Sequence, residues 1–157
     1  MRVEVTSREK LEKRSENPFP SGTAIISIAD SDIDTILMKN KPDYLLLLRF
    51  DDVTTGDLEF DLGRKISEPE ADEFARAYHM FNDEQAKKVA AYINSIQEKV
   101  NTLICQCEYG QSRSAGVAAA VREFLYNDGI EIFADDRYYP NKVVYRKVFN
   151  ALNNYDE

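Results

Sequence analysis

Thr102-Leu103-Ile104-Cys105-Gln106-Cys107-Glu108-Tyr109-Gly110-Gln111-Ser112-Arg113-Ser114 leads from a short strand straight into a helix. The strand is Thr102 to Gln106. The helix is read from Ala115, Val117, Ala118, Val121, Phe124 and Leu125, which recur at helical spacing until Asn127-Asp128-Gly129 ends them. The connecting letters are CEYGQSRS. A loop of this kind turns successive backbone N–H groups into one concavity at a helix N-terminus, where the dipole adds partial positive charge, so it can hold a tetrahedral oxyanion. Gly110 permits a backbone geometry that a side chain would obstruct. The same field stabilises a thiolate at Cys107, and Arg113 supplies a planar fork able to grip two phosphate oxygens. The candidate phosphate-binding residues are therefore Glu108, Tyr109, Gly110, Gln111, Ser112 and Arg113.

Working outward, Tyr44-Leu45-Leu46-Leu47-Leu48 is a continuous apolar run, the pattern of a strand buried on both faces of a mostly parallel sheet. Ala24-Ile25-Ile26-Ser27-Ile28-Ala29 is another strand, and Val3-Glu4-Val5 alternates like a short edge strand. Ser7 caps a brief charged helix ending before Asn17-Pro18, and Asp30-Ser31 offers a cap for a short helix through Ile33, Ile36 and Leu37. A helix is expected from about Glu70 to Met80. Asn82 and Gln85 form a capping box ahead of Ala86, Val89, Ala90, Ile93 and Ile96, and Pro140-Asn141 opens a last helix with Val144, Val148 and Leu152 on one face. Strands alternating with helices predict an α/β fold, a central sheet flanked by helices on both faces.

The chain has 157 residues, one domain's length, and no repeat or Gly/Ser-rich linker divides it. With 43% hydrophobic and 31% charged residues it reads as globular; no apolar run reaches membrane-helix length and no secretory signal is evident, so a cytoplasmic location is expected. A net charge of −8 argues against sequence-independent binding to nucleic acid or anionic membrane. The excess lies between Asp51 and Glu84, where eleven acidic residues face three basic ones. Cys105 and Cys107, two apart on a strand, point to one face without the approach a disulfide needs. With His79 the lone imidazole, no metal site is expected. His79 reads as a surface or packing residue, and Tyr109 either shapes the rim of the loop or packs outward.

Cys107-x5-Arg113-Ser114 is similar to the signature of the protein tyrosine phosphatase superfamily, in its dual-specificity branch. The resemblance runs from about Tyr44 to Leu125, and Tyr139-Pro140-Asn141-Lys142-Val143-Val144-Tyr145 resembles the end of bacterial members. It implies a phosphotyrosine protein phosphatase-like fold, with one domain over 1–157 carrying an acidic insertion at about 53–80. It also implies two-step hydrolysis without cofactor or metal. Cys107 attacks phosphorus, Arg113 and the loop amides stabilise the transferring group, Ser114 assists breakdown of the phosphocysteine, and an Asp protonates the leaving oxygen. The matching strand-end pair is Asp51-Asp52, of which Asp52 fits the family spacing and Asp51 is the runner-up.

Two departures stand out. Gln106 occupies the place of the family's His, and the interval from Asp52 to Cys107 is longer than in compact members. Glu108 and the lack of Lys in the loop disfavour polyanionic substrates such as phosphoinositides. A single ester on Tyr, or on Ser or Thr in a shallow pocket, is preferred, within a phosphorylated protein or a small phosphate monoester. Three other readings share the loop: a phosphate-binding module without turnover, a rhodanese-type sulfur transferase with no need of Asp52, and RNA 5′-triphosphate removal, which calls for basic surface.

Overall fold

The computed structural model describes residues 1–155. The elements in chain order are β1 (Arg2–Ser7), α1 (Arg8–Arg14), β2 (Thr23–Ala29), β3 (Tyr44–Arg49), α2 (Thr55–Leu62), α3 (Glu68–Phe74), α4 (Asp83–Ile96), β4 (Thr102–Cys107), α5 (Arg113–Tyr126), α6 (Ile130–Phe133) and α7 (Lys142–Asn153). The strands form one four-stranded sheet in the order β1-β4-β2-β3, every pair parallel. This is the α/β architecture expected, with helices on both faces. β2 and β4, the two central strands, alternate their side chains between two apolar layers. Ala24, Ile26, Ile28, Leu103, Cys105 and Cys107 join the main core with α4, α5 and α7. Ile25 and Ile104 meet Leu11 of α1 and Ile36 on the other face. Burial on both faces explains why these strands read as unbroken apolar runs.

Local signals hold where residues within four positions of each other decide the outcome. The Ser7 side chain caps α1, Asn82 and Gln85 complete the reciprocal capping box of α4, and Asn127 ends α5 in a left-handed conformation. Asn141 caps α7 by accepting from the N–H groups of Val143 and Val144.

Three expectations are corrected, and one helix is new. The strand over Tyr44 to Leu48 is not covered on both faces: β3 is an edge strand, and Leu47 is 46% exposed. The helix expected after Asp30-Ser31 is absent. Ser31 gives both its N–H and its hydroxyl to the Asp51 carboxylate, and Arg8 of α1 donates to the carbonyls of Asp34 and Thr35 that a helix would use. The helix placed over Glu70 to Met80 begins at Glu68 and ends at Phe74, giving way to turns. Ahead of it lies an unforeseen helix, α2, capped reciprocally by Thr54 and Asp57. Together α2 and α3 make a small lobe with its own core of Leu58, Ala71, Ala75 and Met80, completed by Val143 of α7. The buried Lys147 ammonium ties the lobe down, donating to Asp72 of α3 at 2.7 Å and to Asp83 of α4 at 2.9 Å.

Candidate active site

In an all-parallel sheet the carboxyl ends of all strands share one edge, the usual place for a ligand crevice. Here that edge collects Ser7 at the end of β1, Asp30 after β2, Phe50 to Asp52 after β3, and Cys107 at the end of β4. Three segments far apart in sequence thereby meet the loop that joins β4 to α5.

The loop is held by its carbonyls. Glu108 O accepts from Arg8 N at 3.1 Å, Gln111 O from Tyr139 N at 2.8 Å, and Ser112 O from Asn141 N at 3.0 Å. Gly110 adopts φ +68°, and a Cβ there would lie 2.6 Å from the Thr6 carbonyl carbon, so the loop rests directly on the backbone of β1. With the carbonyls anchored outward, the N–H groups of residues 109–114 have no acceptor among the described residues. Ser112 stands at the N-cap of α5 without capping it: its hydroxyl donates instead to Asp52 at 2.8 Å. The first turn of a 14-residue helix thus keeps its donors free for an anion.

Cys107 is buried, and its Sγ lies 3.0 Å from the Ser114 hydroxyl, which sits in the first turn of α5. Arg113 is 5% exposed, and its Nη1 donates to Asp30 at 2.5 Å and to the Phe50 carbonyl at 2.8 Å. Its Nε is buried with no hydrogen-bond partner. An unpartnered guanidinium donor in a dry site is costly unless a ligand completes it. The geometry suits a tetrahedral anion seated between the loop amides and Arg113, with the Cys107 sulfur beneath it.

The adjacent carboxylates Asp51 and Asp52 diverge. Asp52 is exposed and accepts from Ser112 and from Asn141 Nδ2 at 2.9 Å, which aims it at the loop. Asp51 turns away to Ser31, while its own N–H donates to the His79 carbonyl at 2.7 Å. The structure therefore brings Asp52 to the loop along with Cys107, Arg113 and Ser114, and leaves Asp51 as an anchor for neighbouring segments. Glu108 faces Arg8 at 3.8 Å, and Tyr109 is exposed on the rim.

Gln106 is buried on the opposite face of β4 from Cys107. It accepts from the Ser27 hydroxyl and donates its amide N–H to the Cys107 carbonyl at 3.0 Å, so a neutral side chain braces the backbone of the cysteine. Cys105 lies in the core as a free thiol, and burial pushes its titration well above the ordinary thiol range, with the nearby Cys107 adding to the effect.

Sequence reasoning missed two members of the site. Asp30, read as a helix cap, pairs with Arg113 across 83 positions. Asn141, read only as a helix opener, also binds Asp52. Pro140-Asn141 marked the start of the helix, but nothing local marked the second contact.

The chain matches no family model and no curated protein. Among solved structures, the crystal structure of PTPMT1 is similar over 97% of this chain and 90% of its own length, at 10% sequence identity and a TM-score of 0.43.

Proposed function

We propose that this chain is a cysteine-dependent phosphatase of the dual-specificity type, hydrolysing single phosphate esters on Tyr, or on Ser or Thr. One observation carries the proposal. Buried Cys107 and buried Arg113 share a loop whose N–H groups and guanidinium Nε lack acceptors, a ring of donors over a sulfur nucleophile.

In the first step the Cys107 thiolate attacks phosphorus, the S–P bond forms, and the ester O–P bond breaks. Asp52 gives its proton to the leaving oxygen. The loop amides and Arg113 neutralise charge on the transferring phosphoryl group, already oriented for it by Asp30 and the Phe50 carbonyl. In the second step water attacks the phosphocysteine, Asp52 takes the water's proton, and the Ser114 hydroxyl donates to the departing thiolate from 3.0 Å. Each role uses groups already within reach, which supports turnover over mere phosphate binding.

The test is hydrolysis of para-nitrophenyl phosphate in metal-free buffer with reductant, comparing wild type with Cys107→Ser. The variant is expected to lose about 10⁵-fold in kcat, since removing the nucleophile removes the covalent route. Wild-type rates in that variant would overturn the mechanism. Vanadate binding without any wild-type turnover would instead make the chain a phosphate-binding module.

A further inference from the structure

Beside the loop runs a cleft of about 800 Å³, within the size range of sites that take a peptide side chain or small ligand. Ser112 and Asn141, the two partners of Asp52, stand at its near end. Its lining is partly apolar: the rings of Phe133 and Tyr145 meet edge to face, with centroids 5.0 Å apart, and buried Val143 also lines it. Tyr139, 73% exposed, forms a wall and is fixed by its backbone bond to the Gln111 carbonyl. Lys142 adds an exposed ammonium with no carboxylate partner among the described residues, while Arg146 reaches across to Glu68 at 3.0 Å.

Two features define what this cleft takes. The first is continuity. A phosphoryl group in the cradle puts its leaving oxygen toward Asp52, so the remainder of the substrate emerges where the cleft begins. The second is charge. Among the lining residues, Lys142 and Arg146 against Glu68 sum to one positive charge, with the Asp52 carboxylate at the near end, in a chain of net charge −8. The depression on the other side of the loop, lined by Ser7, Arg8, Glu9, Glu12, Glu108 and Tyr109, is negative. A carboxylate is therefore drawn to one side of the loop and repelled from the other.

We propose that this cleft is the substrate groove of the enzyme, taking from a phosphorylated protein segment a hydrophobic side chain next to the phosphorylated residue and a carboxylate beyond it, at Lys142. The assignment rests on the phosphatase reading and names its substrate class. The hydrophobic side chain covers the Phe133 and Tyr145 rings, and the carboxylate supplies the partner that Lys142 lacks.

The experiment uses three phosphotyrosine peptides of equal length, flanked on both sides by Leu-Asp, by Leu-Lys or by Gly-Gly. Affinity and kcat/KM are measured for wild type and Lys142→Glu, with para-nitrophenyl phosphate as the substrate lacking flanks. In wild type the Leu-Asp peptide is expected to exceed Leu-Lys about fivefold, the scale of one exposed ion pair, and Gly-Gly about tenfold, the scale of one buried aliphatic side chain. Lys142→Glu is expected to reverse the order of Leu-Asp and Leu-Lys; the substitution is exposed and places an acid in the first turn of α7, so folding is retained. Equal values for all peptides, an unchanged order in the variant, or stronger competition by a 5′-phosphorylated oligonucleotide would overturn the groove. If para-nitrophenyl phosphate is hydrolysed while the peptides are equal, the phosphatase reading survives and the groove fails. If nothing is hydrolysed, the phosphatase reading fails and the order of affinities alone decides the groove.

Discussion

Gly110 in the cysteine loop and Gly63 at the end of α2 adopt nearly the same left-handed backbone, φ 68° and 70°, in opposite surroundings. A Cβ on Gly110 would meet the Thr6 and Ser7 backbone at 2.6 to 2.8 Å, whereas a Cβ on Gly63 would meet nothing within 4 Å. The loop is set by backbone pressed against backbone, with Arg8, Tyr139 and Asn141 holding its carbonyls. The acidic lobe is set by a five-residue core, by surface ion pairs and by the pair from Asp72 to buried Lys147. In the proposed reaction the backbone-anchored loop is where a tetrahedral group is matched, and donors preorganised around developing charge need no rearrangement during reaction. The lobe has only to stay docked.

Asp52, at the junction of the two regions, gives the sharpest break. Asp52→Asn is expected to lower kcat about 10²–10⁴-fold. The loss should be greater for phosphotyrosine than for para-nitrophenyl phosphate, whose leaving group needs less protonation. The amide keeps an oxygen for Ser112 and Asn141, so the unfolding midpoint should stay at the wild-type value; equal fold-losses for both substrates would remove Asp52 from the acid role.

Gly110→Ala comes next, at about 3 kcal/mol of stability, because conformational strain and a clash with immovable backbone add together. Its phosphate or vanadate affinity should fall as well. A variant that unfolds in urea like wild type and still binds vanadate would show that the loop is softer than its contacts suggest.

On the lobe side, Asp72→Asn combined with Asp83→Asn leaves the Lys147 ammonium, 3% exposed, without a counter-charge. A destabilisation of about 2 kcal/mol is expected, moderated by water reaching the exposed end of the site. The pH dependence has a definite sign. The hydrogen bond from Lys147 holds the Asp83 carboxyl below its ordinary range, against the opposing effect of burial. A carboxyl lowered on folding stabilises above its unfolded value and loses that contribution as pH falls through the folded one. The gap in urea stability between wild type and variant should therefore be full at neutral pH and close below about pH 4. A gap independent of pH would mean that the amides disturb packing rather than charge.

Gly63→Ala is the smallest, about 1 kcal/mol from the left-handed backbone alone. A loss as large as that of Gly110→Ala would erase the distinction between the two regions.

The cysteine loop was legible because its members lie within eight positions, and so were the caps at Ser7, Asn82 and Asn141. α2 carried a readable signal, Thr54 with Asp57 at the third position, obscured by Asp in place of the commoner Glu or Gln and by Gly56 between them. The segment after Asp30 was not legible, because Arg8 and Asp51 compete for its backbone groups from other elements. Nor could Leu47 be read as exposed, since an apolar run does not reveal whether its strand stands at the centre or the edge of the sheet.

The sequence by itself determined the alternation of strands and helices, marked Cys107 to Ser114 as a candidate anion loop, and offered the candidate pair Asp51 and Asp52. The first two rest on periodicity, capping and loop chemistry, all of them short-range, and the third on the resemblance to the phosphatase signature. Only the tertiary structure decided that Asp52 and not Asp51 faces the loop, that Asp30 holds Arg113, and that the cleft opens beside Ser112. Strand order brings those groups together, and strand order is the outcome of burying two apolar layers at once, a property of the whole chain that no local window contains.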